Sequence, residues 1–219
     1  MYHKILNQLS PTNTKLVAVS KTKPIEQIQE LYEQGQRVFG ESKARELTAK
    51  YEALPKDIEW HMVGHLQRNK VKYIAPYISL IHSVDSPRLL KEINKQAKKV
   101  DRVIDCLLQY HIADEESKYG FTEETAEELL GGEAFAQMEN VRIVGVMGMA
   151  TFTEDKEQVR REFQHLRQIF EDLQANHFAD QDSFREISMG MSGDYQIAIE
   201  EGSTMVRIGT LLFGERQYA

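Results

Sequence analysis

Short apolar runs alternate along the chain with longer stretches in which apolar residues recur every three or four positions. The runs fall at 16–21, 37–41, 59–64, 80–84, 103–112, 141–149, 185–191 and 205–209. Continuous apolar runs of this length, bounded by turn residues, read as strands buried on both faces of a parallel sheet. Between them the period lengthens. Ile25, Ile28, Leu31 and Tyr32 line one face of a helix that Pro24 opens and Gly35 ends. Helical patterns also cover 42–54, 87–98, 123–130, 156–176 and 192–201, with a shorter one after 65–70. In the longest, Val159, Phe163, Leu166, Ile169, Phe170 and Leu173 form one stripe, read as core rather than binding surface. Residues 1–14 form a short helix and a lead-in broken at Ser10-Pro11-Thr12-Asn13.

Strand and helix thus alternate through the whole length at even spacing, which predicts a parallel α/β sheet. Eight repeats in 219 residues fit a single (β/α)8 TIM-type barrel, with a doubly wound open sheet as the alternative. No linker or repeat divides the chain, so residues 1–219 are expected to be one domain with no second one.

Composition narrows the function classes. The net charge of -7, from 34 acidic and 27 basic residues, argues against nucleic acid as a partner. The lone Cys106 rules out an intrachain disulfide and a thiolate cluster for a metal. No apolar run approaches the ~20 residues of a membrane span, and the N-terminus lacks the apolar core of a signal peptide. A cytoplasmic protein is expected.

Two places carry candidate chemistry. Lys21 sits where the first strand hands over to its loop, the end at which parallel α/β folds bind ligands. An amine there is a solvated loop residue, a partner for an anion, or a Schiff-base nucleophile. Lys23 beside it is solvated and raises the local potential, or is a second attachment point. At the other end of the chain, Met189-Gly190-Met191-Ser192-Gly193-Asp194 and Arg207-Ile208-Gly209-Thr210 follow strands seven and eight, where such barrels often hold phosphate. Ser192 offers a hydroxyl and exposed amides at a helix start, or merely caps that helix with Asp194. Gly209 permits close backbone approach, and Thr210 adds a donor. If Val206 and Ile208 face the helices, Arg207 points into the barrel. Strands one and eight adjoin in a closed barrel, so a ligand with an aldehyde on one side and a phosphate on the other would bridge the two places. Pyridoxal 5′-phosphate has that shape.

The blocks Ala18-Val19-Ser20-Lys21-Thr22-Lys23-Pro24, Phe39-Gly40-Glu41, Trp60-His61-Met62-Val63-Gly64-His65-Leu66-Gln67, Ser188-Met189-Gly190-Met191-Ser192 and 202–210 resemble the YggS/PROSC family of pyridoxal phosphate homeostasis proteins. The resemblance runs from about residue 16 to residue 218. It implies a fold like the N-terminal barrel of alanine racemase, of fold-type III. It also implies that Lys21 carries the cofactor, that Ser192, Gly209 and Thr210 hold its phosphate, and that Arg207 faces the ring nitrogen. Met149, at the end of strand six, touches the ring by the same likeness or is plain core. Two positions depart from the family: Ser42 stands where Asn is common after Phe-Gly-Glu, and His111 where Asn often ends strand five.

An Arg at the ring nitrogen would keep it unprotonated and the ring a poor electron sink. The similar racemases draw a second base from a C-terminal β-domain, and this sequence ends soon after its eighth strand. The expected function is therefore to hold and deliver pyridoxal phosphate without substrate turnover. Pyridoxal phosphate is the expected cofactor, PLP-dependent apoenzymes the partners, and monomer or weak dimer the assembly. An amino-acid racemase and a scaffold barrel with a vestigial site are the alternatives.

Overall fold

The structure, a computed structural model, describes residues 1–114 and 119–215. Eight parallel strands close into a barrel in sequence order, β1 beside β8. They are β1 (Lys15–Val19), β2 (Val38–Glu41), β3 (Glu59–Met62), β4 (Leu80–Val84), β5 (Ile104–Gln109), β6 (Val141–Met147), β7 (Glu186–Ser188) and β8 (Met205–Ile208). The helices are α1 (Tyr2–Leu9), α2 (Ile25–Glu33), α3 (Ala44–Ala53), α4 (Val71–Ile74), α5 (Pro87–Lys99), α6 (Glu123–Leu130), α7 (Glu133–Ala136), α8 (Lys156–Asn176), α9 (Tyr195–Glu200) and α10 (Thr210–Phe213). The closed barrel, not the open sheet, is the architecture.

Alternation along the strands sorts side chains into two cores. Val17, Leu80, Leu107, Val144, Met147 and Met205 fill the barrel interior. Leu16, Ala18, Phe39, Trp60, Val206 and Ile208 pack outward against the helices. Closure is set by the β1–β8 register, Lys15 opposite Met205 through Ala18 opposite Ile208. At β6 the ring bends. The register steps from Cys106↔Ile143 to Leu107↔Gly145, so Val144 is an extra residue. Gly145 there has φ +154°, and a Cβ would lie 1.8 Å from the Glu186 carbonyl oxygen. Only glycine lets β6 and β7 meet at that point.

The predicted helices form, with local reasons for their ends; the short α7 and α10 are additions the pattern does not predict. Asp155 caps α8 by accepting from the amides of Glu157 and Gln158 at 3.0 and 3.1 Å. Thr122 and Thr125 form a capping box at α6. Val159, Phe163, Leu166, Ile169, Phe170 and Leu173 are buried, so the α8 stripe is core. Several elements are shorter than predicted; β1, β3 and β6 each end two residues early, and β7, the following helix and β5 differ most. β7 has three residues because Gly190, at φ +95°, turns the chain out of the sheet. The helix predicted from Ser192 starts at Tyr195, because the Asp194 carboxylate accepts from the Met191 amide at 2.5 Å and closes a turn first. β5 ends at Gln109, after which Tyr110 bridges to Phe121. The polar loop at 114–120 lies partly outside the described residues. Among the described residues no helix is long and apolar enough to cross a membrane.

Candidate functional site

Lys21 stands two residues past the end of β1, half-buried. Val17 faces the barrel interior, so the alternation gives Val19 and then Lys21 the inward phase. Its neighbours are held from outside the barrel. The buried Lys50 ammonium donates to the Ser20 carbonyl at 2.8 Å and to Glu41 Oε1 and Glu46 Oε1, each at 2.7 Å. Ser20 Oγ donates to Glu41 Oε1 at 2.6 Å, and the Thr22 amide donates to Glu46 Oε1 at 2.6 Å. Thr22 sits at φ +64°, a left-handed conformation that this clamp maintains. The backbone on both sides of Lys21 is thus fixed by three charged side chains. Burial pushes the Glu41 carboxyl up from its usual range, against the pull of Lys50.

Across the β1–β8 seam lie the loops after β7 and β8. A Cβ on Gly209 would sit 3.0 Å from the Val19 carbonyl oxygen, so the ends of the two strands are in close approach. The Ser192 and Gly193 amides, and those of Thr210 and Leu211 at the start of α10, donate to no described residue. These four N–H groups lie at the ends of two loops that follow neighbouring strands, and amides without a protein acceptor are the kind of donor an anion takes. Lys23 ties the two sides together. Its ammonium donates to the carbonyls of Phe213, Gly214 and Glu215 at 2.8, 3.1 and 2.9 Å. That makes it a cap on the last helix and a strap from the first loop to the last, rather than a solvated cation.

Beneath these loops, Arg207 is buried inside the barrel, opposite Val17 in register. Val206 and Ile208 face the helices, the condition under which the sequence predicts an inward guanidinium. Arg207 Nη1 donates to the Ser188 carbonyl and Oγ, both at 2.7 Å, and Nη2 to the Gly148 carbonyl at 3.0 Å. One N–H on Nη2 and the Nε–H remain for another acceptor. Burial lowers the Arg207 pKa to about 10, with Asp194 opposing the change; the guanidinium stays charged at neutral pH.

Two further polar residues share the interior. His82 Nδ1 lies 2.9 Å from Ser188 Oγ, and His82 Nε2 lies 2.9 Å from His61 Nδ1. Burial lowers the His61 pKa to about 3, helped by Lys15, and drives His82 well below its ordinary value. Both rings are neutral. Sequence reasoning assigns no role to Ser188, His82, His61, Glu41 or Lys50. The available signals are a histidine in the middle of each of two apolar strands and a lysine three residues after Leu47 on the buried face of α3.

The structure brings Lys21, Ser192, Arg207, Gly209 and Thr210 to the rim and floor of one end of the barrel. It does not gather the rest of the predicted set so closely. Ser42 lines a neighbouring groove of about 470 Å³ with Lys43, Arg45, His65 and Lys70. Met149 lies two residues past β6, 41% exposed, and is not core. The backbone of His111 pairs with Phe121 across the β5 loop.

An eight-stranded parallel barrel with a lysine past its first strand and a nest of amides past its last two defines the class of the alanine racemase N-terminal domain. The family of that description matches residues 2–217. A pyridoxal phosphate homeostasis protein of Aquifex aeolicus is 44% identical over 205 residues, 93% of this chain and 88% of that protein. PipY of Synechococcus elongatus, solved without PLP, superposes with a TM-score of 0.90 at 33% identity, over 97% of this chain and 98% of PipY. The structure of PipY with PLP bound superposes at 0.86 over the same shares. The chain belongs to the pyridoxal phosphate homeostasis protein family.

Proposed function

We propose that this protein binds pyridoxal 5′-phosphate, holds it reversibly on Lys21 and passes it on without converting a substrate. The observation that carries the reading is the seam between β1 and β8. There the loop carrying Lys21 adjoins the loop after β8, with the loop after β7 next to it; four amides on the loops after β7 and β8 donate to no described residue, and the Arg207 guanidinium is buried in β8. The cofactor supplies an aldehyde for the amine and a phosphate dianion for the amides. Ser192, Gly209 and Thr210 are the phosphate contacts in this reading, and Ser42 and Met149 are outer contacts at the rim.

Attachment is a condensation. The Lys21 nitrogen adds to the aldehyde carbon, and the carbonyl oxygen leaves as water. Water or an amine of an acceptor reverses the bond, so capture and release need no other reactant. Arg207, its spare donors toward the ring nitrogen, disfavours a second positive charge there and so weakens the ring as an electron sink. Retention and transfer to PLP-dependent apoenzymes, rather than turnover, follow from that weakness. Family membership and the PLP-bound PipY structure support the ligand.

The test is borohydride reduction of the protein with PLP, followed by peptide mapping. The expected adduct is on Lys21, absent in Lys21→Ala. An adduct that maps to a different lysine in the unaltered protein, and persists undiminished in Lys21→Ala, overturns the assignment. Solvent deuterium incorporation at Cα of alanine or serine, at enzymatic rates, overturns the absence of turnover.

A further inference from the structure

From Arg207 a line of hydrogen bonds crosses the barrel interior through Ser188 on β7 and His82 on β4 to His61 on β3. His61 in turn lines a pocket of about 400 Å³ at the opposite, N-terminal end of the barrel, with Lys15, Glu59, Asp105 and Glu186. The mouth chemistry uses none of these three residues. Yet buried polar groups in a barrel interior are costly unless each is satisfied.

The direction of the chain can be deduced. Arg207 only donates, so Ser188 Oγ accepts from it. Ser188 is fully buried, and its hydroxyl has Arg207 and His82 as its partners. Its one proton must therefore go to His82 Nδ1; the reverse order would leave a buried O–H without an acceptor. His82 then carries its proton on Nε2 and donates to His61 Nδ1, and His61 is protonated on Nε2, toward the pocket. Every donor points away from the guanidinium, and every acceptor lone pair points toward it. The chain thus backs the charge of Arg207 with aligned dipoles and leaves it a single orientation.

We propose that Ser188, His82 and His61 are positioning residues for the cofactor, a one-way hydrogen-bond chain that holds the Arg207 guanidinium against the ring-nitrogen side of bound pyridoxal phosphate. The proposal rests on the reading of the barrel mouth as the pyridoxal phosphate site. The far end of the chain, at His61, lines the pocket with Lys15, Glu59 and Glu186 at the N-terminal ends of the strands.

Two measurements test it. NMR of the histidine ring nitrogens in the cofactor-free protein reads the tautomers. Both rings are expected neutral with the proton on Nε2, and a proton on His82 Nδ1 overturns the chain. Release of PLP to a scavenging amine reads the function in variants whose fold is verified by circular dichroism. His61→Leu removes the terminal acceptor, and release is expected to accelerate about tenfold, the size of one hydrogen bond to a charged network. His61→Asn places an amide oxygen where Nδ1 was, and release is expected to return to within about twofold of the unaltered protein. Unchanged release from His61→Leu, or equal acceleration in His61→Asn, overturns the positioning role. An unaltered protein that traps no cofactor on Lys21 overturns the site reading, an outcome distinct from either.

Discussion

Lys50 Nζ lies 2.7 Å from Glu41 Oε1, and the two side chains are 6% and 0% exposed. This ion pair belongs to α3 and β2, yet its third partner is the carbonyl of Ser20, next to Lys21. It turns the placement of a loop amine into a problem of core electrostatics. Lys50→Met leaves Glu41 buried without its cation and is expected to cost about 3–5 kcal/mol. The Glu41 carboxyl, already raised by burial, would rise further, so the loss should be larger in alkaline than in acidic solution. Urea unfolding followed by the fluorescence of Trp60, the one tryptophan, measures it. Adding Glu41→Gln should recover a large part; no recovery would mean that the pair is not what Lys50 stabilises.

Acid should loosen the barrel through its histidines. His61 and His82 are neutral when folded, and both protonate near pH 6.5 once unfolded. The unfolded state therefore binds more protons below that pH, and stability rises with pH across the window. The gain from both is fully present above about 6.5 and is lost as pH falls toward the folded values, about 3 for His61. The slope in the middle of the window is expected to be about 1.4 kcal/mol per pH unit for each ring. Urea midpoints across the window read it, and His61→Asn should remove one ring's share.

Gly145→Ala should break the seam between β6 and β7. A methyl group there meets the Glu186 carbonyl at a distance no real contact shows, on a backbone at φ +154°. An expected loss of about 3 kcal/mol or more places it among the severe single substitutions. Thermal unfolding compared with Gly193→Ala, where a Cβ meets nothing within 4 Å, isolates the effect.

Much of this was legible in the chain. The bounds of β4, α6 and α8 follow from apolar period and capping residues alone. The inward phase of Arg207 follows from strand alternation once a parallel sheet is recognised. What the sequence hides is long-range register. His61 and His82 are 21 residues apart and Ser188 a further 106, and whether their side chains meet depends on the closure of the ring and on the bulge at Val144. The end of β7 was hidden for another reason: Met189-Gly190-Met191 reads as apolar strand, and the positive φ of Gly190 is a property of the folded backbone. The register of Lys50 on the buried face of α3 is readable, but nothing local places Ser20 and Glu41 beside it.

The barrel closes by joining its first strand to its last, and the strap from Lys23 to residues 213–215 crosses that same join. During synthesis, then, the amine emerges early and waits. The closing partner, β8, leaves the ribosome about 190 residues after β1, so neither the ring nor any site at that join exists until translation has passed the eighth strand.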